Sequence, residues 1–368
     1  MKLEIEKSDL LNLIGKTQNI VEKRNTMPVL VNVLLEAQNN SLKVFATDLE
    51  VSLTDETKAQ VSQDGKVAVS AKNLFEIARK LSDGPIKLIK KENNWLEIKQ
   101  GKYLSKIVGV SSEDYPIFPT YNPQAFIKVS AQVLKEMIDK TIYSVSNDET
   151  RYHLNGVFFE MNSSFGFRMV ATDGHRMSLI SKNLENIKIN IGQGVIIPRK
   201  GLYEVKKLLE GLNDEIEIAI EGSQFILKHK STLLMIRLIE GKYPNYQQFI
   251  PTKLSQKINL NKEFFLTSLE RVSLLANQKS KAVLLNISKG KMEVSSNNPE
   301  LGDAKEEVEI DYSGSDIKIG FNAKYLIDIL TSINNDVISL EINDQLSPGL
   351  IQPQGDKNYT CVVMPMRI

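Results

Sequence analysis

Three times along this chain the same run of residue types returns at a spacing close to 125 residues. The tightest register is a helical stripe. Lys72, Lys200 and Lys324 correspond, then Leu74, Leu202 and Leu326, then Ile77, Val205 and Ile329, then Leu81, Leu209 and Ile333. The lysines lie 128 and 124 residues apart. Residues three and four apart share a helix face, so each copy predicts an amphipathic helix. Each stripe ends in a polar turn, at Asp83-Gly84, Asn213-Asp214 or Asn335-Asp336. Agreement of residue type, spacing and turn chemistry over three copies is hard to obtain by chance. A period this long is a domain, so the chain reads as three copies of one unit.

The remainder of each copy follows one programme. A strand comes first, then a capped helix. Ser8 is expected to cap a helix that buries Leu10, Leu13, Ile14, Thr17 and Val21. Ser130 precedes Val133, Leu134, Met137, Ile138, Thr141 and Ile142, and Asn261 precedes Phe264, Phe265, Leu269 and Val272. In this reading Leu10 matches Val133, and Val133 matches Phe264. Paired strands are expected over 29–37 and 42–53, over 154–161 and 167–181, and over 282–287 and 291–296. Further strands are expected at 86–89, 216–220 and 337–342. The fold class is α+β: three repeated domains of antiparallel sheet with two helices each, the helices on one side. Stretches rich in Pro and Tyr at 116–123 and 243–252 place the domains at 1–120, 121–250 and 251–368.

One motif differs among the copies. It reads Phe45-Ala46-Thr47-Asp48-Leu49-Glu50, then Val170-Ala171-Thr172-Asp173-Gly174-His175-Arg176-Met177, then Val294-Ser295-Ser296-Asn297-Asn298-Pro299. Matching Thr47, Thr172 and Ser296 gives spacings of 125 and 124 residues. The middle copy carries the extra His and Arg, so a function specific to one copy is expected there.

Known catalytic patterns are missing. The sequence has no Walker A run and no Gly-x-Gly-x-x-Gly, and Gly192-Gln193-Gly194 precedes a strand where a phosphate site needs a helix. His153, His175 and His229 share no ligand spacing, and one cysteine cannot build a zinc site. No Gly-x-Ser-x-Gly supplies a nucleophile. No catalytic residue, metal or cofactor is therefore expected. The rival readings are a metal-assisted hydrolase using Asp173 and His175, or a monomeric peptide-binding adaptor. The lone Cys361 sits in an apolar run and reads as buried and inert. The first residues alternate like a strand without an apolar signal core, and no apolar run approaches ~18 residues. A cytoplasmic protein without membrane contact is expected.

With 46 basic and 45 acidic residues, only segregation of charge could present a surface to a polyanion. The helices are where cations gather: Lys72, Arg79, Lys80, Lys135, Lys140, Arg199, Lys200, Lys206, Lys207, Lys262, Arg271, Lys279 and Lys324. Three units meeting head to tail must close or polymerise, and two chains would make a ring of six units. A ring lined with cations would hold duplex DNA by its phosphates without reading bases.

Several segments carry a family resemblance: Thr172-Asp173-Gly174-His175-Arg176, Tyr243-Pro244-Asn245-Tyr246 and Val362-Val363-Met364-Pro365-Met366-Arg367-Ile368. Arg151-Tyr152-His153-Leu154-Asn155-Gly156, Ser296-Asn297-Asn298-Pro299-Glu300 and Tyr312-Ser313-Gly314 fit the same pattern. Over its whole length the chain resembles the bacterial sliding clamps, the beta subunits of DNA polymerase III. The resemblance implies a head-to-tail homodimeric ring around DNA, with no catalysis of its own. It also implies a peptide-binding cleft between the middle and last domains. Docking there would be the DNA polymerase III alpha subunit, the clamp loader delta subunit, other polymerases and repair proteins.

Carried over residue by residue, the cleft would comprise Leu154, Thr172, Gly174, His175, Arg176, Met177, Pro244, Phe249, Val362, Val363, Met364, Pro365, Met366 and Arg367, with Asn322 and Tyr325 at its rim. The apolar members would form a pocket, while backbone groups near Gly174 and the cation of Arg176 anchored an extended peptide. Gln248 and Phe249 depart from the family's usual arginine and smaller aliphatic. DNA contacts are implied for Arg24, Arg151 and Tyr152, beside the shared Lys72, Lys200 and Lys324. At the dimer interface Leu274 and Leu275 would pack on Ile107 of the other subunit.

Overall fold

The repeated stripe forms helices in all three copies. In a computed structural model, residues 1–21, 27–122, 126–162, 164–183, 194–252 and 254–367 are described. Six α-helices lie among them, two per repeat: α1 (Lys7–Gly15), α2 (Ala71–Lys80), α3 (Ala131–Asp139), α4 (Arg199–Leu209), α5 (Lys262–Ser273) and α6 (Ala323–Ser332). The apolar stripe residues of α2, α4 and α6 face the core, with Ile77 half-buried. Leu74, Leu202, Val205, Leu326 and Ile329 are fully buried. Burying each such side chain contributes about 1.5–3 kcal/mol. Asn261 caps α5 by accepting from Phe264 N at 3.1 Å, and Asn322 caps α6 by accepting from Lys324 N at 2.9 Å.

The cap expected from Ser8 is not made. Glu6 stands at the N-cap of α1 without a side-chain bond, and Ser8 lies inside the helix. The register of the first helices also moves by one residue. Leu10, Leu134 and Phe265 are the matching buried positions. Val133 is half-buried, and Phe264 is 66% exposed. The buried Thr17 and Thr141 confirm this register, since each Oγ1 donates to a carbonyl one turn back, Ile14 at 2.7 Å and Met137 at 2.8 Å.

The strands expected over 42–53 and 167–181 are each two strands. Ser41–Thr47 turns into Val51–Lys58, and Gly166–Thr172 turns into Arg176–Lys182. Lys291–Asn298 and Gly302–Glu309 are the third pair. A carboxylate or amide closes each turn on the backbone. Asp48 accepts from Glu50 N at 2.9 Å, Asp173 from His175 N at 2.9 Å, and Asn298 from Glu300 N at 3.0 Å. Asn298, not Asn297, is thus the counterpart of Asp173. A one-residue slip in a strand exchanges its two faces. With Asn298 in register, the buried Ala46, Ala171 and Ser296 fall together. Segments 29–37 and 154–161 begin as 3-10 turns, Pro28–Val31 and Glu149–Leu154. A strand leads into the second helix of each repeat, Gly65–Ser70, Val195–Pro198 or Ile317–Asn322.

By its contacts the chain divides into two compact units, Met1–Lys135 with Lys200–Leu238, and Glu136–Arg199 with Ile239–Ile368. This division cuts the middle repeat, because each unit holds one sheet built from two repeats. The first unit has a nine-stranded sheet in which Val51–Lys58 pairs antiparallel with Thr232–Arg237, Leu53 facing Leu234. The second has an eight-stranded sheet in which Arg176–Lys182 pairs antiparallel with Tyr359–Val363, Ser178 facing Cys361. The two joints are equivalent. Each unit also carries a smaller sheet that stops at an edge. The five-stranded sheet of the first unit ends at Tyr103–Ile107, and the four-stranded sheet of the second ends at Gly302–Glu309.

Candidate functional site

The motif of the middle repeat sits in the second unit, at the end of the joint between Arg176–Lys182 and Tyr359–Val363. Gly174 turns the chain with a φ of +89°, a conformation glycine adopts without steric cost. The strand leaving the turn places Met177 opposite Val362. These two join Leu154, Phe158, Val170, Leu179, Ile196, Tyr243, Tyr246 and Leu350 in one apolar cluster. Phe158 stacks on Tyr243 with ring centroids 4.9 Å apart. The Tyr243 hydroxyl donates to Val170 O at 3.4 Å, and burial raises its pKa. Tyr246 donates to Glu160 and accepts from Arg168 Nη1 at 3.1 Å. Hydroxyls satisfied in this way let two tyrosines line an apolar site.

Of the expected pocket residues, Leu154, Met177 and Val362 are in this cluster. Thr172 and Pro244 are half-buried beside it in sequence but outside it. Val363 is fully buried, and strand alternation turns it away from Val362. Phe249 ends the 3-10 turn Tyr246–Phe249, stays 54% exposed and does not join the cluster. The aromatic and aliphatic members Phe158, Val170, Leu179, Ile196, Tyr243, Tyr246 and Leu350 were not anticipated. Alternation could have found some, since Leu179 shares a face with Met177.

The polar anchors expected at the turn are occupied from within. Gly174 N donates to Thr172 Oγ1 at 3.1 Å, and His175 N and Arg176 N donate to Asp173 Oδ1 at 2.9 and 3.0 Å. Arg176 is only 7% exposed. Its guanidinium donates to Asp173 Oδ2 at 3.1 Å, Asp328 Oδ2 at 2.6 Å and Tyr143 O at 2.5 Å. Its Cζ also lies 4.5 Å from the ring centroid of Tyr325. Arg176 is thus a staple from the turn to α6, not an open cation. Replacing it with methionine leaves two carboxylates without their partner. Breaking a buried pair this way typically costs 3–5 kcal/mol. Thermal unfolding should show that loss, while Arg176→Lys should lose less.

Past the joint the chain continues across the site. Met364 N donates to His175 O at 2.8 Å and Met366 N to Gly320 O at 2.8 Å. Met364 is 39% exposed, Pro365 and Met366 are half-buried, and Arg367 is exposed. His175 is exposed and tilts over the half-buried Tyr325, and Asn322 caps the adjoining α6. Behind the joint Tyr143 meets the Tyr359 hydroxyl at 2.8 Å and Cys361 Sγ at 3.3 Å. Burial pushes the Cys361 thiol up to about 11, so it remains protonated and inert.

Of the expected DNA contacts, Arg24 lies outside the described residues. Arg151 is partly exposed, its Nε donating to Asp148 Oδ2 at 3.0 Å, and Tyr152 is exposed. Lys72 and Lys324 are exposed, whereas Lys200 Nζ lies 2.6 Å from Asp48 Oδ2. Several other helix cations are also held internally. Lys140 pairs with Glu136, Lys207 with Glu204 and Arg271 with Glu306. Leu274 is 77% exposed, and Leu275 and Ile107 are half-buried. Among the described residues, no group of three His, Cys, Asp or Glu side chains is placed to hold a metal ion, and no helix is long and apolar enough to cross a membrane.

Matches to known families cover nearly the whole chain. The description "DNA polymerase III beta subunit" applies as N-terminal domain to residues 1–119, as central domain to 128–245 and as C-terminal domain to 247–367. The chain belongs to the DNA polymerase III beta subunit family. Its function is that of a DNA sliding clamp. The beta sliding clamp of Caulobacter vibrioides is 34% identical over 100% of both chains, and that of Rickettsia felis 32% over 100% of both. The crystal structure of the beta subunit from Pseudomonas aeruginosa matches with a TM-score of 0.96 at 29% identity, covering 100% of both chains. A Bartonella birtlesii sliding clamp bound to griselimycin matches at 0.94 and 31%, again over 100% of both. The clamp family is one of processivity factors. Asp173, the carboxylate of the rival hydrolase reading, accepts from the turn on Oδ1 and from Arg176 on Oδ2.

Proposed function

We propose that this clamp acts as a head-to-tail homodimer closed around duplex DNA, tethering a polymerase through the pocket at Leu154, Met177 and Val362. The observation that carries the dimer is the pair of unfilled sheet edges. In the repeat, Gly302–Glu309 occupies the place of Val51–Lys58 and Arg176–Lys182. Tyr103–Ile107 occupies the place of Thr232–Arg237 and Tyr359–Val363. The first two copies make this joint within the chain, so the third joint needs a second chain. Register carried forward from Leu53–Leu234 and Ser178–Cys361 sets Ala304 opposite Ser105 and Asp303 opposite Lys106 of the partner. The latter is an opposite-charge pair of the kind that favours pairing.

The apolar contacts fit the same joint. Leu274 takes the position of Tyr143, two residues after the buried Thr141 and its counterpart Val272. Tyr143 packs on the strand Tyr359–Val363 through Tyr359 and Cys361, and Leu274 stands without such a strand. Leu274 and Leu275 would meet Ile107 of the partner, flanked by the exposed Tyr103, Leu104 and Val108. The domains are taken as 1–120, 121–250 and 251–368. In support, Tyr115, just before the first connecting stretch, and Tyr243, at the start of the second, donate to matching carbonyls, Phe45 O and Val170 O.

The partners we assign are the DNA polymerase III alpha subunit, the clamp loader delta subunit, and other polymerases and repair proteins bearing clamp-binding peptides. His175, Tyr325, Met364, Pro365 and Met366 would border the bound peptide. DNA would be met through phosphates by Arg151, Tyr152, Lys72, Lys324 and Arg24, without base readout. Retention by topology should outlast weak contacts. On closed circular DNA the clamp should persist at a salt concentration that abolishes binding to short duplexes. Equal loss from circles and from the same DNA linearised would defeat the ring.

A further inference from the structure

The two internal joints differ in how the space behind the shared strand is filled. In the second unit Tyr143 and Tyr359 occupy it, with Arg176 beside them. The register of α1 and α3 makes Asn19 the counterpart of Tyr143, and the strand pairing makes Thr232 the counterpart of Tyr359 and Val51 that of Arg176. All three are smaller. Asn19 is exposed and borders this space without a ring to fill it, and Thr232 Oγ1 accepts from Lys16 Nζ at 3.1 Å. The missing volume is not recovered by neighbours. A cavity of about 460 Å³ remains in the first unit, walled by Ile20, Leu53, Phe75 and Leu208, with Lys16, Glu204 and Lys207 as its charged members.

We propose that this cavity is a binding site for a small phenolic ring, placed where the second unit places Tyr143. Its size suits a monocyclic ligand, since sites for drug-sized molecules span roughly 300–1,000 Å³. The aliphatic wall and Phe75 would cover the ring. Glu204 is 8% exposed, and its Oε1 takes Lys207 Nζ at 2.8 Å. Lys16 Nζ donates to Asp55 Oδ2 at 2.6 Å. The Lys16 ammonium has three N–H donors and gives two of them to Asp55 Oδ2 and Thr232 Oγ1, so a ring hydroxyl can take the third. A ring with no hydroxyl would gain no such bond and bind less well. The inference does not depend on the clamp reading.

The probe is p-cresol, the side chain of tyrosine as a free molecule, titrated into the full-length protein. Methyl resonances of Ile20, Leu53 and Leu208 should shift saturably, and toluene should shift them less at equal concentration. Asn19→Tyr should fill the cavity from within, raise the melting temperature and weaken p-cresol by about tenfold or more, as expected when one ring excludes another. Asn19→Ser should bind as the parent does. Absence of saturation, shifts centred on Leu154 and Met177 instead, or undiminished binding to a folded Asn19→Tyr protein would overturn the proposal. Should Asn19→Tyr not fold, the p-cresol and toluene titrations of the parent decide alone: equal shifts reject the phenol site.

Discussion

Aspartate at both Leu274 and Leu275 should turn the clamp into a monomer. In a single chain Leu274 is 77% exposed, so the folded subunit has little to lose from the change. In the proposed dimer both side chains lie under the partner's strand containing Ile107. Two carboxylates there would be taken from water without partners, at an effective cost of several kcal/mol each. Even 4 kcal/mol in total is roughly a thousandfold in dissociation constant. Sedimentation equilibrium reads the result directly. A variant that remains dimeric at low concentration would remove these leucines from the interface. The register can be read by the opposite kind of change. Ser105→Cys combined with Ala304→Cys should form a disulfide between subunits, because directly opposed strand positions lie about 4.5–5.5 Å apart, within disulfide reach. Cys361 is buried and does not compete. Cross-linking that prefers a neighbouring pair would show a slipped register.

Removal of residues 364–368 should abolish binding of polymerase-tail peptides and leave the dimer intact. Three sequence segments meet at the pocket, and the last can be removed without cutting through either compact unit's sheets. Met364 and Met366 hold the tail by two backbone bonds, to His175 O and Gly320 O. The apolar cluster beneath uses Val362 but nothing beyond it. A flexible peptide that orders on binding is expected at micromolar affinity, about −8 kcal/mol. Met364→Ala alone should cost ~1–2 kcal/mol, as for an ordinary interface anchor. Phe249→Ala separates two roles for that exposed ring. Weaker binding would make it a cover over the peptide, and tighter binding would make it an obstacle. Calorimetry and sedimentation supply the controls. A truncated protein that is folded, dimeric and still binds would place the cleft elsewhere.

Periodicity carried most of the architecture. The stripe Leu74, Leu202, Leu326 and its companions was legible because helix burial repeats over a full domain and tolerates no other phase. The strands were harder. Their side chains alternate with period two, so the match of Ser296 to Thr172 was wrong by one residue, and only the hydrogen bonds of Asp48, Asp173 and Asn298 fix it. The same error placed Val133 beside Leu10. At the site, the apolar wall around Met177 and Val362 was partly legible from residue type. The fate of Arg176 was not. A cation in a turn reads as available, and the two carboxylates that consume it lie 3 and 152 residues away. Lys200 misleads for the same reason, since Asp48 is far off in sequence.

The unlike character of the two free edges has a consequence for the behaviour of subunits in a crowded solution. Sheet edges are templates on which unrelated or identical chains can add. Here the strand Tyr103–Ile107 carries Lys106 and follows Lys102, while Gly302–Glu309 carries Asp303, Glu306, Glu307 and Glu309 against Lys305. Each edge would disfavour a copy of itself and favour the other. In the proposed ring, growth would therefore have one direction and would stop when the two ends of the same assembly found each other. A subunit whose Tyr103–Ile107 edge is disabled can still receive one neighbour but can pass nothing on. Mixed with intact subunits, it should act as a chain terminator, poisoning closure in proportion to its share rather than merely diluting it.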